Sequence, residues 1–187
     1  MTNTGLRPLH LLMHLAPIDR ALDTVALPPG CALRICGHGD ADGLARVLSE
    51  AFGDASWNPA RVRSALLDAP DVLTTYAIRC PEIVATASVR YMPDRFPGEG
   101  YLHWVATSPA FRGQRLAEAV SVAALREFAD RGYVGAWLET DDFRLPAIRL
   151  YLRLGFEPVR STAEFEARWT AVIAELESGE HRGGGAL

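Results

Sequence analysis

Val105-Ala-Thr-Ser-Pro-Ala-Phe-Arg-Gly-Gln-Arg-Leu-Ala117 reads as the end of a strand, a basic glycine-containing turn and the start of a helix. The first turn of a helix leaves backbone N–H groups without intrahelical acceptors, at the positive end of the macrodipole. Gly113 lets the backbone approach a ligand with no Cβ in the way, and Arg112 and Arg115 bring permanent positive charge to the same turn. Such a turn is suited to an anion, and a pyrophosphate fits the description. A strand-to-helix turn carrying two solvated arginines has the same sequence, so the reading needs support from other segments.

Working outward, Tyr101 to Thr107 is the strand that feeds the turn, and strict alternation puts Tyr101, His103, Val105 and Thr107 on one face. Beyond the turn, Leu116, Val120, Ala124 and Phe128 recur every fourth residue as one buried helix face, leaving Glu118, Arg126, Glu127 and Asp130 outside. Further on, Ala136-Trp-Leu-Glu-Thr140 reads as a strand, and Leu145-Pro-Ala-Ile-Arg-Leu-Tyr-Leu-Arg-Leu-Gly-Phe156 as a short helix ending at a glycine.

Arg112-Gly113-Gln114-Arg115-Leu116-Ala117 resembles the acyl-CoA pyrophosphate loop of the GNAT acetyltransferase superfamily. Ala147-Ile148-Arg149-Leu150-Tyr151 and Leu154-Gly155-Phe156 resemble that family's last core helix, in the family's order and spacing. The resemblance is close from Gly100 to Pro158 and looser, through element order, from Leu33 onward. Arg115 stands where the family usually has a glycine, and Arg144 where the final helix usually opens with an asparagine.

The resemblance implies an α/β (α+β) fold with a mixed, mostly antiparallel central sheet flanked by helices. It also implies acetyl-CoA as co-substrate, no metal, and transfer of the acetyl group to a primary amine of a small molecule or peptide by direct attack in a ternary complex. Donor alignment would come from the backbone of Val105, Ala106 and Thr107, with Arg112, Gly113, Gln114, Arg115, Leu116 and Ala117 at the diphosphate and Arg144 at the asparagine position. Tyr151 falls where the family places the tyrosine that protonates the departing thiolate, and a phenol with a pKa of about 10 is suited to that task. It also lies in the apolar stripe Ile148, Tyr151 and Leu152, as a core aromatic would. For the base, His103 has an ordinary pKa near 6.5, while Glu99, Glu139, Asp141 or a water chain are alternatives. Asp141-Asp142 either draws a cationic amine or favours the start of the next helix. An O- or S-acyltransferase and a non-catalytic acyl-CoA-binding sensor remain as other readings of the same scaffold.

Upstream, Ala32 to Cys36 is a short strand, and Asp40 caps a helix with the stripe Leu44, Val47, Leu48 and Ala51 that stops near Gly53. Asn58-Pro59 opens a second helix, ended by Pro70; Val72 to Arg79 and Ile83 to Tyr91 form a hairpin. Leu9 to Ala16 is a candidate extra strand. Ser161-x-x-Glu164 is a capping box for a C-terminal helix carrying Phe165, Trp169, Val172, Ile173 and Leu176. The expected organisation is an N-terminal extension over residues 1–30, one domain over 31–178 and a disordered tail over 179–187.

With 187 residues, 49% of them hydrophobic, the chain has material for one core. A net charge of -4 provides no field for nucleic acid or anionic membrane, no run of apolar residues is long enough to span a bilayer, and a cytoplasmic location is expected; a homodimer is left open. Cys31, Cys36 and Cys80 are an odd number with no Cys-x-x-Cys pair, which suits reduced thiols. Gly37-His-Gly39 lacks the third glycine of a dinucleotide fingerprint, His10 and His14 have no third metal ligand nearby, and no Gly-x-Ser-x-Gly elbow occurs.

Overall fold

The computed structural model describes residues 10–18 and 22–183. Its strands β1 (Leu11–Leu15), β2 (Ala32–Ile35), β3 (Val72–Cys80), β4 (Glu82–Arg90), β5 (Gly100–Thr107), β6 (Ala136–Thr140) and β7 (Glu157–Pro158) form one seven-stranded sheet, in the order β2-β3-β4-β5-β6-β1-β7. The β2–β3, β3–β4, β4–β5 and β1–β7 pairs are antiparallel and β5–β6 is parallel, so the sheet is mixed and mostly antiparallel, as expected. The helices are α1 (Ala41–Phe52), α2 (Pro59–Val62), α3 (Leu116–Asp130), α4 (Leu145–Arg153) and α5 (Ala163–Gly183). The chain divides into two compact units, Leu15–Leu138 and Met1–His14 with Glu139–Leu187.

In the larger unit, the stripe of α1 buries Leu44, Val47 and Leu48 against Trp57, Val62, Leu66, Ala77 and Ala106. Asp40 precedes α1 without capping it through its side chain; its carboxylate accepts from the Gly37 N–H at 2.9 Å and from Arg34. Gly53 ends α1 in the left-handed region, at φ 65°. Asn58 does cap α2, its Oδ1 accepting from the Arg61 N–H at 3.0 Å, and the helix widens into a π turn over Arg63–Leu67. Leu116, Val120, Ala124 and Phe128 of α3 are all buried.

Cys31 and Cys80 form a disulfide, which corrects the expectation of reduced thiols. The ladder sets Ala32 opposite Arg79, so the residue before β2 meets the last residue of β3. A separation of 49 residues hides that neighbourhood from any spacing rule. Cys36 is a free thiol, which burial pushes up to about 12.

In the smaller unit, β1 pairs with β7 at Met13↔Pro158 and His14↔Glu157. Leu9, the first residue of the candidate extra strand, lies outside the described residues. His14 is in β1 and His10 precedes it, so their spacing belongs to extended chain and separates them by roughly 13 Å, too far to share a metal ion. α5 begins one residue later than the capping box predicts, with Thr162 Oγ1 accepting from the Phe165 N–H at 3.3 Å. Its residues Trp169, Val172 and Leu176 are buried. The helix runs on to Gly183, past residue 179 where a disordered tail is expected, because a single glycine at 179 costs a helix only about 1 kcal/mol. Residues 184–187 lie outside the described residues.

Candidate active site

β5 is interrupted where the site begins. Ser88 pairs with His103 and Thr86 with Ala106, so two residues of β5, Trp104 and Val105, stand against one of β4. Trp104 adopts φ 49°, a left-handed conformation that a bulky side chain rarely takes and that costs on the order of 1–3 kcal/mol. The bulge breaks the alternation read from the sequence. Tyr101 and His103 share their face with Trp104, whose ring meets Trp57 and Phe52, and with Ala106 in the α1 core. Val105 and Thr107 therefore leave the face they were expected to share with His103.

Below the bulge the strand becomes regular again. The Ser108 N–H donates to Val84 O at 2.8 Å, which makes Thr86↔Ala106 the next hydrogen-bonded pair and Ala85↔Thr107 a non-bonded one. The Thr107 amide is thus turned away from β4, toward the side where the ladder to β6 covers Gly100↔Ala136 and Tyr101↔Trp137. An extended arm can add along such an edge.

The turn after β5 starts with a 3-10 turn at Pro109–Phe111 and leads through Arg112, Gly113, Gln114 and Arg115, all exposed, to Leu116. Gly113 has φ 79° and Arg115 φ 56°, so two left-handed residues swing the chain into α3. No side chain caps the α3 N-terminus, and its first intrahelical bond runs from the Ala119 N–H to Arg115 O at 3.0 Å. The amides of Leu116 and Ala117 precede that bond, at the positive end of a 15-residue helix. These residues fit a diphosphate. Arg115 has no glycine's freedom, yet takes the conformation a glycine would. Its guanidinium is drawn to Glu118, with bonds of 2.9 and 2.7 Å, which leaves Arg112 as the arginine of the turn with no carboxylate pairing among the described residues.

His103 was read as a base, and the structure places a cation against its ring. Arg90 Nη1 lies 2.6 Å from His103 Nδ1. Arg90 is itself held by Asp71, whose Oδ2 accepts from Nε at 2.8 Å and also from Nη2. Neither Arg90 nor Asp71 carries a sequence signal: one ends an apolar strand and the other follows Pro70.

In the smaller unit, Asp141 accepts from Arg144 Nε at 2.7 Å and lies 2.7 Å from His10 Nδ1. Burial opposes the Asp141 charge, but Arg144 and His10 outweigh it and hold the carboxyl below its ordinary range. Asp142 is likewise held down by Arg168, so both acidic residues pair within this unit. Arg144 is the N-cap of α4, its guanidinium over the exposed Phe143 ring, and it takes up the Asp141 carboxylate. Tyr151 lies seven residues on, buried, with its ring edge-to-face with Phe156. Burial holds its phenol well above the ordinary value, with the Arg144 charge opposing weakly.

A mixed, mostly antiparallel sheet flanked by helices is the architecture that this chain shares with solved acetyltransferases. The chain belongs to the acetyltransferase (GNAT) family, whose family model matches residues 42–156. It is similar to the mycothiol acetyltransferase of Nocardia farcinica, with 26% identity over 159 residues covering 78% of this chain and 52% of that protein. In fold it is similar to a GCN5-related N-acetyltransferase from Sphaerobacter thermophilus, with a TM-score of 0.62 and 22% identity over 83% of this chain and 50% of that one. The ribosomal-protein-S18-alanine N-acetyltransferase of Escherichia coli gives a TM-score of 0.57 and 21% identity over 68% of this chain and 77% of that one. The chain thus spans about half the length of the Nocardia relative. Among the described residues, no helix is long and apolar enough to cross a membrane.

Proposed function

We propose that this chain transfers an acetyl group from acetyl-CoA to a primary amine by direct attack in a ternary complex. The observation that carries this reading is the uncapped start of α3 behind two left-handed residues, Gly113 and Arg115. When bound, acetyl-CoA supplies an activated acetyl thioester. The Leu116 and Ala117 amides and the Arg112 guanidinium hold its diphosphate, Gly113 and Gln114 carry the backbone around it, and Arg115 shapes the turn through Glu118. Val105, Ala106 and Thr107 align the donor, with the outward Thr107 amide available to a developing oxyanion. Arg144 orders the start of α4 through Asp141. Tyr151 gives its proton to the departing thiolate, with the Arg144 charge opposing the rise that burial imposes on the phenol. His103, with Nδ1 facing a guanidinium, is a poor proton acceptor, so the amine's proton leaves through a carboxylate or a water chain.

The name of the relatives puts the acceptor of mycothiol acetylation on the list of amines to screen, alongside amino acids, aminoglycosides and peptides. The test is a thiol-release assay over that panel, with acetyl-CoA titrated calorimetrically against wild-type and Arg112→Glu protein. Turnover of an amine, with affinity reduced at least about tenfold in the variant, supports the reading. Equal affinities overturn the cradle, and binding without turnover across the panel turns the reading to an acyl-CoA-binding module.

A further inference from the structure

A line of polar groups crosses the larger unit from the segment before β3 to the bulge of β5. Asp71 is fixed by its own backbone, its carbonyl accepting from the Tyr91 N–H at 2.9 Å. Its carboxylate holds Arg90 through two nitrogens. Arg90 is the last residue of β4 and pairs with Tyr101, while Ser88 pairs with His103; Arg90 and His103 are therefore diagonal neighbours on one face. The Arg90 side chain is 18% exposed, so its charge is largely withdrawn from water and committed to these partners.

A guanidinium has five N–H donors and no acceptor, and it stays charged throughout the range in which proteins fold. At 2.6 Å from Arg90 Nη1, His103 Nδ1 must therefore present its lone pair. In a neutral imidazole the proton then sits on Nε2. Protonating Nδ1 as well would set two N–H groups head to head and two cations in contact.

We propose that Arg90, steered by Asp71, is a positioning residue that locks His103 in the neutral form protonated on Nε2, so that the imidazole beside the β5 bulge is uncharged and takes no proton from the attacking amine. This rests on the reading of β5 as the acetyl-transfer strand. An ammonium acceptor then approaches a ring that does not repel it, and the aromatic neighbours Tyr101 and Trp104, with ring centroids 5.1 and 4.4 Å from the imidazole, keep its plane fixed.

The test begins with wild-type protein, selectively labelled with 15N-histidine and assigned by comparison with His103→Gln. Long-range 1H–15N correlation at neutral pH should show His103 with Nδ1 unprotonated and Nε2 protonated; a proton on Nδ1 overturns the inference. Arg90→Gln and Asp71→Asn should mix the tautomers, whereas Arg90→Lys, which keeps a cationic donor, should restore the wild-type pattern at least in part. With a responsive amine, Arg90→Gln should lower kcat/KM for that acceptor about tenfold and leave the KM for acetyl-CoA within about twofold. A purely structural role would move the melting temperature and leave both the tautomer and the acceptor kinetics of folded Arg90→Gln as in wild type, and that result also overturns the inference. If wild-type protein turns over no amine, the proposed function fails while the nitrogen spectrum still decides the lock.

Discussion

Tyr151 joins the proposed chemistry to stability in a single side chain. Its burial raises the phenol above the ordinary value of 10.0, which keeps it protonated and makes it a weaker acid than a free tyrosine. Replacing it with phenylalanine should lower kcat by roughly 100-fold and leave the KM for acetyl-CoA unchanged; an unaltered kcat would remove it from the chemistry. The same burial has a pH signature. Because the folded-state pKa is raised, the stability gained by keeping the phenol neutral is complete below the unfolded value and drains away as pH rises from there toward the folded value. Denaturant midpoints compared at about pH 9 and about pH 11 should therefore show wild type losing stability relative to Tyr151→Phe, and parallel losses would contradict the burial. Arg115 is a second test at this scale. Its φ of 56° costs about 1–2 kcal/mol for an L residue, and its solvent-exposed pairing with Glu118 returns little against that. Arg115→Gly should stay within about 1 kcal/mol of wild type, since relief of strain offsets the lost pair and the greater freedom of the unfolded chain. Arg115→Val, with a branched Cβ in the same conformation, should lose about 2 kcal/mol or more in urea melts, and equal stability of the two variants would refute the left-handed geometry. The turn at Gly113 was legible in the sequence because a glycine just before an amphipathic helix marks a left-handed residue. The left-handed Arg115 and Trp104 were not, since neither residue type signals that conformation.

At the scale of elements, α3 was readable because its buried positions recur every fourth residue, and Leu116, Val120, Ala124 and Phe128 do line the core. What periodicity does not show is where the helix touches the sheet. Gly100, the first residue of β5, faces the Phe128 ring so closely that a Cβ there would sit 2.6 Å from Cγ and nearer still to the ring edge. Gly100→Ala should therefore destabilise the fold by about 2–3 kcal/mol through overpacking, and Phe128→Leu in the same chain should recover part of that loss. Additive losses in the double variant would place the glycine's role elsewhere. β5 itself shows the limit of alternation. A period of two assigned Tyr101, His103, Val105 and Thr107 to one face, and one inserted residue moved Val105 and Thr107 off it. Bulges leave no residue signature in this strand, so β5 was located in the sequence while the facing of Val105 and Thr107 was not.

For the whole molecule, the sheet was inferable as mixed and mostly antiparallel from the order of strand and helix patterns, but its covalent closure was not. The disulfide exists because β2 runs antiparallel beside β3, a tertiary fact that joins positions 49 residues apart. Closing a loop of that length removes conformations from the unfolded chain, worth about 4 kcal/mol in the chain-entropy description. Alkylating the denatured, unreduced protein should label one cysteine by intact mass, Cys36, and alkylation after reduction should label three. Under reducing conditions, or in Cys31→Ser/Cys80→Ser protein, the urea midpoint should fall by the equivalent of about 2–4 kcal/mol. Three labels without reduction, or a midpoint indifferent to reductant, would mean that the β2–β3 ladder holds this edge of the sheet without the cross-link.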